Sequence, residues 1–589
     1  MSLTMYRPDY PRPQFVREDW QNLNGEWNFR FDDKNRGEAE QWYRKFEADL
    51  AIQVPFVYET KASGIEDTSF HPYVWYQRHF SIPAEQRDKR TLLHFQAVDY
   101  TAKVWVNGSY IGSHEGGYSA FSFDITPYLV DGDNLLVVKA EDSEDCTQPR
   151  GKQRWRKDNF ACWYVQTTGI WQTVWLEYVS EQYVQSAKIT PDLDANAVRF
   201  DYRVGGLSPQ GVQHNGNYYL TTKITLDGQL IKETGITVDR SALSLTVDLI
   251  SETPEWRIQT WSPENPKLYE VEFILNDGNG TIDRVHSYFG LRKVSIQKGK
   301  VLLNNLQIYQ RLILDQGYWT DSHLTPPSEE AIIEDIDKIL AMGYNGVRKH
   351  QKIEDARFLY WCDVKGLLVW SEMAATYEFN DLAINRFTRE WQDIVEQHYN
   401  HPCIITWVPF NESWGIANVF TNRKQQSFTE AIYHLTKSFD PYRPVVVNDG
   451  WEHTISDIIT LHDYEESGDK FAIRYENKDA ITSNEISHMN WKYAMAQGYG
   501  YRGQPIIISE FGGIAFQSES GWGYGNQVAS EEAFLERFRN ITQAIKSTEY
   551  ICGFCYTQVT DVQQEVNGLL YEDRTPKIEM AKIKEINLA

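Results

Sequence analysis

Apolar and polar side chains alternate with a period of two through most of the first half of the chain, which predicts β-strands rather than helices. The segment TAKVWVNGSYIG (101–112) alternates on both sides of Asn107-Gly108, a pair that is preferred in two-residue hairpin turns. Residues 1–180 therefore predict a β-sandwich. Residues 181–292 continue with strand-like runs such as AVRFDYRV and LYEVEFIL, and their length suits an immunoglobulin-like sandwich.

The period changes in residues 293–589. Residues 328–343 carry an apolar stripe with helical spacing, with Ser328 as a suitable N-cap and Gly343 as a stop signal. Helical stretches of this kind separate most of eight short apolar runs, and eight βα units predict a (β/α)8 barrel. The predicted strands are QIYQRLIL (307–314), NGVRKH (345–350), LLVWSE (367–372), IITWV (404–408), PVVVND (444–449), DIITLHD (457–463), PIIISEF (505–511) and ICGFCYT (551–557).

Composition narrows the class of protein. A chain of 589 residues is too long for one core, and its length suggests three or four domains. A net charge of −24 argues against a nucleic-acid partner, because no basic field is available to replace counterions. The sequence contains no run of 18 apolar residues that would span a membrane, and no leader is visible, so we expect a cytoplasmic protein. A homo-oligomer is compatible with this sequence. No metal-ligand spacing and no nucleotide-binding fingerprint occurs, so we expect neither a metal nor a cofactor.

Two carboxylates stand at the ends of predicted barrel strands, where barrel enzymes have their active sites. Glu412 ends the fourth strand and Glu510 the seventh, so the two face each other across the mouth. Glycoside hydrolysis needs such a pair, one acid to protonate the leaving oxygen and one carboxylate opposite; a separation of roughly 5 Å makes the second a nucleophile with retention of configuration. The alternative is that these residues only solubilise strand ends or cap loops.

Neighbouring strand-end residues suit the same chemistry. The amide of Asn411, beside Glu412, could bind a sugar 2-hydroxyl. Arg348 and Tyr464 could orient the second carboxylate, although a structural ion pair and simple packing are the alternatives. His350 is either a substrate contact or a structural histidine.

Several motifs resemble glycoside hydrolase family 2, the family of β-galactosidases, β-glucuronidases and β-mannosidases. The likeness spans nearly the whole chain. In the first domain it depends on VWVNGSYIGSHEGGYSAFSFDIT, which resembles the family's sugar-binding jelly roll, and in the second on WSPENPKLY and FGLRKV. In the barrel it depends on GYNGVRKH, NHPCIITWVPFNESWG and IIISEFGG.

The resemblance implies a role for each matching residue. Glu412 corresponds to the acid/base, Asn411 to its 2-hydroxyl partner, and Glu510 to the nucleophile. Tyr464 corresponds to the tyrosine that contacts the nucleophile, and Arg348 to the arginine of the second strand.

Departures from the family pattern bear on the substrate. Glu565 and Asn567 stand where β-glucuronidases carry the Asn-x-Lys that binds the sugar carboxylate, which argues against a uronic acid. Asp315 is a candidate substrate contact, and Gln316 after it replaces a histidine that galactosidases often have. The acidic residue that the first domain usually contributes is replaced near Trp163, and Tyr556 replaces a tryptophan of the eighth strand.

Trp522 follows the predicted nucleophile closely and is either a platform for a sugar ring or a loop-packing residue. Taken together, the sequence predicts a retaining exo-β-glycosidase, most readily a β-galactosidase, whose partner is a carbohydrate. The alternatives are a β-glucuronidase, a β-mannosidase, an α-L-arabinopyranosidase, or a carbohydrate-binding protein that has lost catalysis.

Overall fold

Most strands of the first domain form two antiparallel sheets that pack face to face around a core containing Trp27, Val74, Leu93 and Leu176; Val98–Asp99 and Gly169–Ile170 form a separate short pair. The computed structural model describes residues 7–207, 218–250, 257–517 and 520–589. The larger sheet has the order Leu50–Val54, Gly25–Phe31, Tyr73–Ser81, Asp133–Glu141, Thr101–Val106 and Ser109–Glu115; the smaller has Trp20–Asn22, Val174–Val179, Arg90–Phe95 and Phe121–Asp124.

The predicted hairpin at 101–112 is present in the larger sheet. Asn107 and Gly108 both have positive φ, 50° and 77°, so the turn takes the hand that matches strand twist. Thr101–Val106 pairs with Ser109–Glu115 across that turn.

A second sandwich follows, and its core includes Phe200, Leu220, Phe273 and Val285. One sheet has the order Tyr183–Asp192, Ala197–Gly205 and Ala242–Asp248; the other has Gln229–Thr237, Tyr219–Leu226, Tyr269–Asn276 and Thr281–Phe289. A small three-stranded sheet, Val294–Gln297, Lys300–Leu303 and Leu306–Gln307, connects this domain to the barrel.

The barrel strands confirm the predicted fold class. Seven of them form one parallel sheet in the order β4-β3-β2-β1-β8-β7-β6. Their bounds are β1 Gln310–Asp315, β2 Gly346–Lys349, β3 Leu368–Glu372, β4 Ile404–Val408, β5 Asn448–Asp449, β6 Ile459–His462, β7 Ile506–Gly512 and β8 Ile551–Thr557.

The fifth strand is shorter than the predicted 444–449. Asn448–Asp449 pairs with the two residues Phe410–Asn411 that follow β4, and before it a single parallel bridge joins Val445 to Trp407 of β4. The run is interrupted because the Val445 and Val447 amides donate to the side chains of Asp457 and Ser456 rather than to a strand.

Helices alternate with the barrel strands. The first begins after Ser328, whose hydroxyl accepts from the Ala331 amide, and is followed by Gly343 at φ 84°, as predicted. No helix in the described part of the chain is long and apolar enough to span a membrane. The bounds are α1 Glu329–Ala341, α2 Ala356–Lys365, α3 Asp381–His398, α4 Arg423–Phe439, α5 Gly468–Arg474, α6 Lys478–Thr482, α7 Glu531–Ser547 and α8 Met580–Leu588.

The first domain also forms one wall of the barrel mouth. The Arg150 amide donates to the Ala375 carbonyl at 3.0 Å. Asn159 Nδ2 donates to Gln563 Oε1 at 2.6 Å, and the Tyr164 hydroxyl donates to Glu565. Residues from two domains therefore surround the ends of the barrel strands.

Candidate active site

Glu412 lies on a sharp turn at the barrel mouth. Glu412 and Ser413 have φ values of 51° and 60°, a left-handed conformation that is uncommon for such residues and is found at functional sites. The Glu412 amide donates to the Asp449 carbonyl at 2.9 Å, and the Ser413 amide to Asn448 Oδ1 at 3.0 Å. The turn is thereby fixed to β5, and the Glu412 side chain keeps 17% of its surface exposed.

Glu510, near the end of β7, is nearly enclosed, with 5% of its side chain exposed. Arg348 Nη1 donates to its Oε1 at 2.8 Å, and the Tyr464 hydroxyl donates to its Oε2. One carboxylate oxygen of Glu510 and one of Glu412 lie within 4.8 Å of each other and of a ring nitrogen of His462.

Arg348 is a fully buried hub beneath these carboxylates. Besides Glu510, its guanidinium donates to Glu372 Oε2 at 2.7 Å and Asn411 Oδ1 at 2.8 Å, and lies 3.0 Å from Asp449 Oδ2. Burial disfavours its charge, but the three surrounding carboxylates outweigh that cost and raise the pKa of Arg348 well above its usual value. Arg348 thus fixes side chains from four strand ends.

The carboxylates around Arg348 differ in protonation. Burial raises the pKa of Glu372 to about 7 despite its bond to the guanidinium. Burial would also raise the pKa of Asp449, but Arg348 and His462 hold it below its usual value. Asp449 therefore stays charged at neutral pH, whereas Glu372 titrates there.

His462, the last residue of β6, lies between the two candidate catalytic carboxylates. Its Nδ1 is 2.8 Å from Glu412 Oε1 and 3.5 Å from Glu510 Oε2, and its Nε2 is 2.9 Å from Asp449 Oδ2. Burial disfavours the charged ring, but Glu510 and Asp449 raise the pKa of His462 to about 10. The ring is therefore an imidazolium that donates to carboxylates on both sides. The sequence analysis did not predict a role for it, although its place at a strand end was a signal.

Asn411 and His350 contact each other. His350 Nδ1 is 2.8 Å from Gln316 Oε1, and His350 Nε2 is 3.2 Å from Asn411 Nδ2. Burial and the charges of Arg348 and Lys152 lower the pKa of His350 well below its usual value. The ring is neutral, and these two bonds assign the proton to Nδ1.

Tyr464 joins Glu510 to a second tyrosine that the sequence analysis did not single out. The rings of Tyr464 and Tyr524 are stacked, with centroids 3.4 Å apart. Burial, and then the charge of Glu510, raise the pKa of Tyr464 well above its usual value, so its hydroxyl keeps its proton and donates.

Asp315 and Trp522 are not brought into this cluster. Asp315 Oδ2 pairs with Lys349 Nζ at 2.6 Å, and Oδ1 accepts from the Gly317 amide. Asp315 is opposite Lys349 in the sheet, whereas the neighbouring pair, Leu314 and Arg348, faces the lumen. Trp522 is half-buried, and its indole donates to the Ala161 carbonyl at 2.9 Å.

Aromatic side chains line the mouth where the first domain meets the barrel. The ring centroid of Trp163 lies 5.6 Å from that of Trp414 and 5.2 Å from that of Trp155. Trp414 comes two residues after Glu412. Trp155 stacks on Tyr377 at 4.3 Å. Such flat surfaces with polar edges suit sugar rings.

Among the described residues, two groups of side chains have donor atoms close enough for a metal ion, but neither fits one well. Glu412, Glu510 and His462 form the first group, and a protonated imidazole has no lone pair to offer a metal. Asp363, His401 and Cys403 form the second, in which Asp363 already accepts from His401 at 2.6 Å and from the Cys403 amide at 2.8 Å.

Comparison with known families agrees with the domain order. Residues 20–176 match the sugar binding domain of glycosyl hydrolases family 2, residues 182–292 match its second domain, and residues 294–588 match its TIM barrel domain. The chain resembles a β-glucuronidase of Ruminococcus gnavus in complex with D-glucuronic acid, with a TM-score of 0.78, 20% identity and coverage of 98% of this chain and 99% of that one. At that identity the likeness shows the fold.

Two relatives in sequence carry different names. The chain is 26% identical over 406 residues to the β-galactosidase of Thermoanaerobacter pseudethanolicus, across 67% of this chain and 51% of that protein. It is 24% identical over 615 residues to the β-glucuronidase of Rattus norvegicus, across 96% of this chain and 90% of that protein. The chain thus spans about half the length of the β-galactosidase. Because the three domain matches follow in order and the barrel match alone covers half of the chain, the protein belongs to glycoside hydrolase family 2.

Proposed function

We propose that the protein is a retaining exo-β-glycosidase that removes a terminal β-galactoside. The observation that carries the proposal is the approach of Glu412 and Glu510, whose nearest oxygens lie within 4.8 Å. That separation suits a carboxylate nucleophile, since an inverting enzyme needs roughly 6.5–9.5 Å to admit a water molecule between the carboxyl groups.

In the proposed mechanism Glu412 protonates the aglycone oxygen while Glu510 attacks the anomeric carbon from the opposite face. The carbon–oxygen bond to the aglycone breaks, and a covalent glycosyl–enzyme forms at Glu510. Glu412 then takes a proton from water, which attacks the same carbon and releases Glu510.

The surrounding groups support this division of roles. Arg348 and the Tyr464 hydroxyl hold both oxygens of Glu510, which fixes the direction from which it attacks. Asn411, whose amide is next to Glu412, is proposed to bind the 2-hydroxyl, with neutral His350 behind it. Asp315 and Trp522 remain predicted substrate contacts. Asp315 would have to exchange a present bond for one to sugar, whereas Trp522 could stack on a sugar ring and keep its bond to the Ala161 carbonyl.

Galactoside is the preferred substrate because Glu565 is an acid in the loop after β8 and because the T. pseudethanolicus relative is named a β-galactosidase. The second candidate is a β-glucuronide, favoured by the match along 90% of the rat β-glucuronidase. β-Mannoside and α-L-arabinopyranoside belong in the same test.

The test is a panel of p-nitrophenyl glycosides covering these four sugars. We expect turnover of the galactoside, loss of it in Glu510→Ala, and rescue of that variant by azide with inverted product. No turnover of any member would contradict catalysis and favour a binding protein. Azide rescue confined to Glu412→Ala would exchange the two roles.

A further inference from the structure

We infer that Lys152 and Glu565 together bind the hydroxyl of the terminal sugar's hydroxymethyl group and select an uncharged sugar over a uronic acid. The inference rests on the proposed glycosidase function and names the substrate class of the same site. It assigns the first domain a direct part in substrate recognition.

Lys152 is a buried cation without a carboxylate partner. Only 4% of it is exposed, yet no carboxylate oxygen in the described ranges lies within 4.0 Å of its Nζ. Other buried cations nearby are paired, Lys349 with Asp315 at 2.6 Å and Lys352 with Glu354 at 3.0 Å. The Cys162 thiol is a hydrogen-bond partner of Lys152. An ammonium has three donors, so a buried one that lacks a carboxylate partner can still pair with a ligand.

The position of Lys152 is at the catalytic site. Its Nζ lies 5.4 Å from the ring of Trp414 and 5.5 Å from the ring of Tyr164. Burial opposes its charge, but Cys162, Glu565 and Glu510 raise the pKa of Lys152, so it is an ammonium at neutral pH. Glu565 and Glu510 are thus carboxylates whose charges act on Lys152.

Glu565 is the complementary group. Only 2% of it is exposed, and it accepts from two neutral donors, the Tyr164 hydroxyl and Asn567 Nδ2 at 3.2 Å. Among the described residues no cation lies within 4.0 Å of it. Tyr164 donates to Glu565, and its ring lies 5.5 Å from Lys152 Nζ, so this tyrosine is close to both charged groups.

A chain of side-chain hydrogen bonds fixes Glu565 in place. Every link runs in one direction, from a donor near Arg348 to an acceptor nearer Glu565, so the chain is polarised from a guanidinium to a carboxylate. Its members in order are Arg348, Asn411, His350, Gln316, Gln558, Asn567 and Glu565.

Lys152 and Glu565 carry opposite charges and do not pair with each other within 4.0 Å, an arrangement that suits a hydroxyl group. A hydroxyl can accept from Lys152 and donate to Glu565 at once, whereas a carboxylate can only accept and would be repelled by Glu565. The topology selects the hydroxymethyl group. Asn411 follows β4, and the loop of Glu565 follows β8 on the opposite side of the barrel. If Asn411 binds the 2-hydroxyl, residues opposite it face the ring-oxygen side of the anomeric carbon. C5, which carries the hydroxymethyl group, is bonded to that ring oxygen.

The experiment compares three p-nitrophenyl substrates that differ only at C6, the carbon of the hydroxymethyl group. They are the β-D-galactoside, the β-D-fucoside, which is the 6-deoxy form, and the β-D-galacturonide. Each is assayed with the wild type, Lys152→Met, Glu565→Gln and Lys139→Met. Lys139 is the matched control, because it is buried in the same domain and bonds only first-domain side chains among the described residues, Glu38 at 2.8 Å and Asn35 at 2.7 Å. Ratios of kcat/KM between substrates are unaffected by a loss of folded protein.

For the wild type we expect galactoside to exceed fucoside and galacturonide by about 10- to 100-fold, the factor of a hydrogen bond to a charged group. Lys152→Met should lower kcat/KM for the galactoside by about 10- to 100-fold and leave the fucoside nearly unchanged. Glu565→Gln should raise galacturonide relative to galactoside by about tenfold, because the repulsion is removed. Lys139→Met should leave all three ratios unchanged.

Two results would overturn the inference. One is an equal effect of Lys152→Met on galactoside and fucoside, which would make Lys152 structural. The other is a wild-type preference for galacturonide that Lys152→Met abolishes, which would make Lys152 a carboxylate-binding residue. Failure of the proposed function is distinct from both, since the wild type would then turn over no substrate.

Discussion

Replacing His462 with glutamine removes the positive charge between Glu412 and Asp449. The glutamine amide can still donate toward Asp449, but it provides no donor at the position of Nδ1, which lies 2.8 Å from Glu412 Oε1. The substitution therefore leaves the proposed acid/base without its one hydrogen-bonded partner of opposite charge and removes an imidazolium located 3.5 Å from Glu510.

The expected loss follows from the contact that is removed. A hydrogen bond involving a charged group contributes about 1.5–3 kcal/mol, which corresponds to a loss of about 10- to 150-fold in kcat/KM. The loss should be larger for a phenyl glycoside than for a 2,4-dinitrophenyl glycoside, because only the poor leaving group needs a well-placed proton donor. Losing a cation beside two carboxylates should also move both limbs of the pH profile upward, by about one unit.

The assay is kcat/KM against pH for both substrates, with His453→Gln as the control. His453 is buried nearby but bonds Ser456 and the Thr460 carbonyl, and burial lowers its pKa to about 4, so it contributes no charge. An equal loss on both leaving groups with an unmoved pH profile would refute the reasoning and reduce His462 to a packing residue.

Further predictions concern the buried charges. Arg348→Lys keeps the charge but loses the planar guanidinium that bonds Glu372, Glu510 and Asn411. We expect kcat to fall by at least about 100-fold and the free energy of unfolding in urea to fall by about 3 kcal/mol. An unchanged kcat would contradict the proposal that Arg348 positions the catalytic carboxylates. The raised pKa of His462, from 6.5 to about 10, means that the folded state binds the extra proton between these values. Its stabilisation is therefore complete below about pH 6.5 and disappears as pH rises through about 10. Urea unfolding should show this decline in the wild type and a smaller one in His462→Gln. Asp363→Ala should lower stability by about 2–4 kcal/mol, because His401, Tyr288 and the Cys403 amide lose their acceptor, without moving the pH profile of kcat/KM; a shifted profile would contradict a purely structural role.

The fold could be predicted from the sequence because its signals are local. The turn at Asn107-Gly108, the cap at Ser328 and the βα repeats each depend on neighbouring residues alone. The short β5 was not predictable in the same way, because the Val445 amide bonds a side chain twelve residues away, that of Asp457.

The site could be predicted in part. Glu412, Glu510, Arg348 and Tyr464 meet because parallel strands end at one face of the barrel. The orientation of a strand's last residue is harder to predict, and Asp315, one residue beyond a lumen-facing position, pairs with Lys349 instead.

Contributions from the first domain were not predictable. The placement of Lys152 over Tyr164 and Trp414 depends on how the first domain packs on the barrel, which no local pattern encodes.

The central claim is that Glu510 forms a covalent bond to the sugar. The most direct measurement is mass spectrometry of peptides from enzyme inactivated with 2,4-dinitrophenyl 2-deoxy-2-fluoro-β-D-galactoside, which slows release of the intermediate. The account predicts one fluorosugar adduct, on the peptide containing Ser509-Glu510-Phe511, at the Glu510 carboxylate. An adduct on Glu412, or dinitrophenol release that continues at full rate with no adduct on any peptide, would contradict it.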